Sequence, residues 1–223
     1  MKTLRYLLGI FTHPIRTGKE LANEKQIRHA LLLVLGISGY LALGFLISYS
    51  KGDYPPDAQT LEVWINAWGS FSMLPVVNVP LEKYRLLMAI IGVPVGMMIW
   101  ILGAGTARLL TRLFGGRLEF DQFLNVMAFT IFPFWLLSGL LDPANFDFMN
   151  ANMVPALTGQ MGPLAQSFYT WYPQIMYPVV QGLGALFMGL IIHANEKQAI
   201  WKTVLIAFLA FAWMIVVTGL LFR

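Results

Sequence analysis

Hydrophobic positions fall along this chain in five unbroken runs, 30–50, 86–107, 122–141, 174–192 and 203–222, and no Asp, Glu, Lys, Arg or His interrupts any of them. Each run is about 20 residues long, which at about 1.5 Å of rise per residue crosses a hydrocarbon core of about 30 Å. A backbone in lipid has no water to bond, so segments of this kind cross as helices whose hydrogen bonds close internally. The alternating segments of about 10 residues that build a membrane barrel do not occur. The expected fold is all-α: a polytopic integral membrane protein, a five-transmembrane-helix bundle in a single domain over 1–223.

Between the runs, the pattern predicts shorter amphipathic elements. Leu4, Leu7, Leu8 and Phe11 recur at helical spacing beside Lys2 and Arg5, so an interfacial helix is expected over 3–12, ended by Pro14. It reads either as a docking arm or as a plain anchor for the first span. Thr17-Gly18-Lys19-Glu20 has capping-box spacing and predicts a second helix that starts there and runs into the first span. In the long connection 51–85, Leu61, Trp64, Ile65 and Trp68 again repeat at helical spacing. After the third span, Asp142-Pro143 breaks the helix, and Phe168, Tyr169, Trp171 and Tyr172 return in the following loop as an aromatic belt. These two aromatic segments read as an anchor, or as a lid over a groove for a lipid tail or partner helix.

Charge orients the runs. Lys2, Arg5, Arg16, Lys19, Lys25 and Arg28 precede the first, Arg108, Arg112 and Arg117 lie between the second and third, and Lys197 and Lys202 between the fourth and fifth. The opposite side holds Lys51, Lys83 and Arg85, and then no Lys or Arg from Leu118 through His193. The positive-inside rule therefore expects a multi-pass protein of the cell inner (plasma) membrane, with its N-terminus cytoplasmic and its C-terminus extracytoplasmic. The net charge of +4 follows the membrane and implies no nucleic-acid partner. No cleavable signal is expected, because the apolar stretch 7–11 is too short and leads into His13-Pro14.

Candidate chemistry is thin. With no cysteine there is no thiolate nucleophile, disulfide or thiolate metal site. His13, His29 and His193 fall near Glu20, Glu24 and Glu196 at the boundary of the spans but without an HExxH pair, so no metal is assigned. The acidic and amide run 142–152 lacks the glycine and terminal Glu of a calcium loop and reads as turn chemistry. No catalytic residue or cofactor is assigned, since the spans hold no nucleophile and base pair, carboxylate dyad or ionisable group for hydrolysis or ion coupling. Asn125 and Gln181 are the main polar groups inside, able to bond across helices at about 0.6 kcal/mol each. Gly92 and Gly96, Gly103 with Ala107, and Ala185 with Gly189 make small-xxx-small pairs for helix packing, within the chain or between copies. Pro94, Pro133 and Pro178 should kink their spans.

The stretch Ala107-Arg108-Leu109-Leu110-Thr111-Arg112-Leu113-Phe114-Gly115-Gly116, then Phe120-Asp121-Gln122-Phe123 and Phe129-Thr130-Ile131-Phe132-Pro133, resembles the central hairpin of the Yip (Ypt/Rab-interacting protein) family. The resemblance covers essentially the whole chain and implies a five-span bundle with a cytoplasmic N-terminus. The Asp-Leu-Tyr-Gly-Pro motif and the long N-terminal region of eukaryotic members are not found, so their GTPase binding is not carried over. The chain is similar to the compact prokaryotic branch, and no functional residue transfers. The resulting expectation is a non-enzymatic protein that binds membrane lipids, a membrane-protein partner or a second copy. Trp64, Trp68, Phe168, Tyr169 and Trp171 are its contact candidates. An uncoupled lipid or apolar-solute permease is the alternative, and an ion channel a third reading.

Overall fold

The computed structural model describes residues 2–24, 26–51, 81–140, 154–157 and 159–222. Among these every regular element is a helix: α1 (Lys2–Thr12), α2 (Pro14–Asn23), α3 (Arg28–Lys51), α4 (Leu81–Leu113), α5 (Phe120–Thr130), α6 (Phe132–Leu140), α7 (Val154–Leu157), α8 (Pro163–Glu196) and α9 (Ile200–Phe222). Among the described residues four segments are long and apolar enough to cross a membrane: Arg28–Ile47, Ala89–Leu113, Phe120–Leu137 and Val179–Glu196. The last helix, α9, has 23 residues and mixes only Lys202 into an otherwise uncharged sequence, enough for a fifth crossing at about 1.5 Å per residue.

The third span is the axis of the bundle. All residues from Phe123 to Thr130 are buried, so this helix has no outward face and its uniform apolarity fits a core position. It packs against α4, α3, α1, α2 and α8, while α9 packs against both α4 and α8. Pro133 has no N–H to give the Phe129 carbonyl, and the helix is interrupted at Ile131 before resuming as α6. Pro94, in contrast, is carried inside a continuous α4, and Pro178 inside a continuous α8.

Local chemistry sets the connections. The α4 helix closes with a Schellman pattern: Gly116 N–H donates to Thr111 C=O at 2.9 Å and Gly115 N–H to Arg112 C=O at 2.9 Å. Gly115 sits at φ +83, a backbone region that side chains disfavour, which is why glycine occupies this turn. Four residues later Glu119 and Gln122 form a reciprocal capping box that starts α5. The second hairpin, α8 to α9, turns through Lys197 at φ 54, whose N–H donates to His193 C=O at 2.9 Å.

Three expectations are corrected. The second helix begins at Pro14, not at the Thr17 capping box, because proline is preorganised for the first helical position. Thr17 is instead buried one turn in, against Gly9. Nor does this helix run into the first span: Glu24 is extended at φ -75, ψ 115, and α3 starts afresh at Arg28. Finally, the aromatic segment 163–172 is no loop but the opening turns of the 34-residue α8.

Candidate functional site: a helical hairpin set into the charged end of the bundle

The loops 114–119 and 197–199 meet at one end of the bundle. There Glu196 accepts from the backbone N–H groups of Arg117 at 2.8 Å and of Leu118, while Gln198 Nε2 donates to Phe114 C=O at 3.2 Å. Glu119 accepts from Arg108 at 3.1 Å and from Arg112 at 3.0 and 3.1 Å. The carboxylate of Glu196 thus supplies the acceptor for turn N–H groups that have left the helical ladder. This charged collar joins the two hairpins of the bundle across 78 and 79 positions of sequence.

Beside it, α1 and α2 form an antiparallel pair that enters the bundle instead of lying flat on it. Register along α5 makes this plain. Gln122 Nε2 donates to Ala22 C=O, and Asn125 Nδ2 to Glu24 C=O at 2.8 Å, which fixes the exit of α2 at the charged end. Tyr6 meets Phe129 edge to face with centroids 5.7 Å apart, and Phe11 meets Phe134 at 5.4 Å and Phe187 at 6.4 Å. On the return, Gly18 faces Ile191 of α8. Phe187 lies about 14 Å of helix from the α8 end at Glu196, and Phe134 about 20 Å from Asp121. The turn Thr12-His13-Pro14 is therefore set about 14 to 20 Å of helix away from the charged end.

Sequence periodicity identified the helix but only one of its two faces. Leu4, Leu8 and Phe11 do point outward, at 60, 58 and 48% exposure, whereas Tyr6 and Ile10 are buried against the axis. The cue for the inner face is aromatic: a tyrosine one turn before an isoleucine, opposite the leucines.

Around the entry, Tyr6 OH donates to Glu24 at 3.1 Å and Lys2 Nζ lies 3.6 Å from the same carboxylate. Burial pushes the Glu24 carboxyl up, but the Tyr6 hydrogen bond and Lys2 together outweigh it and hold it below the usual value of 4.5. Burial, and then Glu24, raise the Tyr6 phenol above 10.0. Thr3 Oγ1 and His29 Nδ1 are hydrogen-bonded at 3.0 Å. His29 therefore sits at the start of α1 and His13 beyond its end, so the three histidines are not gathered at one boundary. Among the described residues no group of three or more His, Asp or Glu side chains is placed to hold a metal ion.

The other candidates are distributed along the spans. A Cβ on Gly92 would lie 3.2 Å from Ala42, and one on Gly96 would strike Ser38, both on α3. One on Gly103 would strike Met214 of α9 and Met127 of α5. At Gly189 the neighbour is backbone, Val204 Cα at 2.7 Å, an approach only glycine allows. Phe168 and Trp171 are exposed on α8, which also carries Tyr169. Trp64, Trp68 and the run 142–152 lie outside the described residues.

Comparison with known proteins adds one match. The Yip1 domain family matches residues 8–223. No curated protein and no solved structure matches the chain. With the family match extending over the hairpin's second half and the whole bundle, this chain is a multi-pass membrane protein that belongs to the Yip1 domain family.

Proposed function

We propose that this is a non-enzymatic protein of the cell inner membrane that binds a lipid or a membrane-protein partner along its outer helix faces. The observation that carries the reading is a stripe on α8: Leu164, Phe168, Trp171, Ile175, Val179 and Leu183 follow one helical face, between 43 and 88% exposed. This helix has 34 residues, about 51 Å, against a hydrocarbon core of about 30 Å. Modest tilt does not absorb that excess. Leu164 and Phe168, farthest from the charged end, thus leave apolar surface beyond the reach of acyl chains, where a partner is the natural cover.

Support for the non-enzymatic reading comes from the five charge-free runs. The basic residues of the collar and of α1 and α2 support a cytoplasmic charged end, with the N-terminus inside and the C-terminus outside. A permease would require a path through the bundle, and its axis is occupied by the buried residues 123–130, so binding is the preferred reading.

The test is a Phe168→Ser, Trp171→Ser double variant, extracted mildly and weighed by native mass spectrometry. Reduced recovery of bound lipid or protein, with helicity unchanged, is expected; wild-type recovery would count against the reading.

A further inference from the structure

The outer face of α2 carries a polar stripe that runs from the hairpin turn toward the charged end. His13, Arg16, Glu20 and Asn23 follow one another at spacings of three and four, with Lys19 beside them, and with Pro14 and Ile15 they line a shallow, mostly apolar groove of about 830 Å³ along the helix, to which the charged side chains give their stems. Arg16 Nε lies 3.4 Å from Glu20, and Arg5 of α1 reaches the same carboxylate at 2.9 Å. Two cations, Arg5 and Arg16, therefore share one anion, and the Lys19 ammonium has no ion pair among the described residues. Beside the stripe, Leu8, Phe11 and Ile15 are exposed apolar side chains.

With the charged end at the membrane surface these cations stand below it, where charge is not stable against acyl chains alone. Cations whose heads stand below the surface must meet water, an anion or both. In a bilayer, the component that offers an anion joined to an apolar tail is an anionic phospholipid, and this face offers the matching pair of surfaces. From this juxtaposition we infer that the α1–α2 hairpin binds an anionic phospholipid of the leaflet at the charged end. Its phosphate sits on Arg16 and Lys19, and its acyl chains lie along Leu8, Phe11 and Ile15, so the headgroup is drawn below the membrane surface at this point. Glu20 limits the attraction by occupying Arg5 and Arg16. The inference rests on the proposed lipid-binding function and names the lipid and the place.

The full chain is reconstituted in nanodiscs of phosphatidylglycerol mixed equally with phosphatidylcholine, extracted mildly, and its retained lipids are counted by native mass spectrometry. Phosphatidylglycerol should be enriched about tenfold over phosphatidylcholine on the wild type. The Arg16→Gln, Lys19→Gln variant should lose that enrichment, and Lys202→Gln, on α9, should keep it. Glu20→Gln should increase it, a gain that misfolding does not produce. Excess glycerol phosphate should not compete, since the tails contribute; full competition would mean a soluble-phosphate site and overturn the inference. Equal retention of the two lipids by the wild type, or a protein crosslinked to the stripe in place of lipid, would also overturn it while leaving the broader binding function standing. Failure to retain any lipid or partner would remove both.

Discussion

Asn125, one turn into the third span, donates through Nδ2 to the main-chain carbonyl of Glu24 at 2.8 Å, across 101 positions of sequence. Glu24 lies in the extended link between the hairpin and the first span, where its carbonyl has left the helical ladder. The contact holds the hairpin's exit against the bundle axis and leaves neither a buried amide nor a buried carbonyl unmatched. Asn125→Leu keeps the volume and removes the bond. It should lower stability by about 1 kcal/mol and make cleavage by trypsin at Arg16 and Lys19 several-fold faster, with the bundle intact by circular dichroism. An unchanged cleavage rate would show that the packing of Tyr6 and Phe11 suffices to hold the hairpin.

Acid and alkali should both loosen α1. The depressed Glu24 carboxyl contributes stability that is fully present above its usual 4.5 and is lost as pH falls through the lower folded value. The raised Tyr6 phenol contributes stability that is fully present below 10.0 and is lost as pH rises through its folded value. Protection of the α1 amides against hydrogen exchange, corrected for the intrinsic rise of exchange with pH, should therefore be greatest between these limits. Glu24→Gln should remove the acid limb, and Tyr6→Phe the alkaline one.

The close approach of α8 to α9 at Gly189 leaves no room for a methyl group, since Val204 Cα would lie 2.7 Å from it. Gly189→Ala should destabilise the protein by about 1–3 kcal/mol. Gly36→Ala, in α3 with no atom within 4 Å of the new Cβ, should be neutral or gain up to about 1 kcal/mol from helix propensity. Thermal unfolding in detergent separates the two. Equal effects would mean that loss of glycine's flexibility, and not helix contact, sets the cost.

The depth of the hairpin turn is directly measurable because the chain has no cysteine, so one introduced by substitution is the sole label site. A spin label at His13→Cys should report burial at roughly half the core thickness, and one at Gly115→Cys should report water. A His13 label at headgroup depth would return the hairpin to the membrane surface and remove the basis for a sunken headgroup.

Much of the fold was legible in the sequence, and for one reason. Lipid cannot satisfy backbone or charge, so each crossing must be a charge-free helix of a set length, and that requirement is written locally, residue by residue. The runs at 30–50, 86–107, 122–141, 174–192 and 203–222, the Gly115-Gly116 turn and the spacing of Leu4, Leu7, Leu8 and Phe11 all express it.

Depth and neighbourhood are set by partners distant in sequence. That α1 descends beside α5, that Phe11 meets Phe134 and Phe187, and that Glu196 binds the turn at Arg117 and Leu118 are decided by packing between segments from about 80 to well over a hundred positions apart, for which no local period exists. The same holds for Arg16 and Lys19. In sequence they are ordinary basic residues before a span, consistent with topology alone. Only the tertiary structure sets them on the outer face of a hairpin packed along the bundle, beside Leu8, Phe11 and Ile15, and there they become candidates for binding.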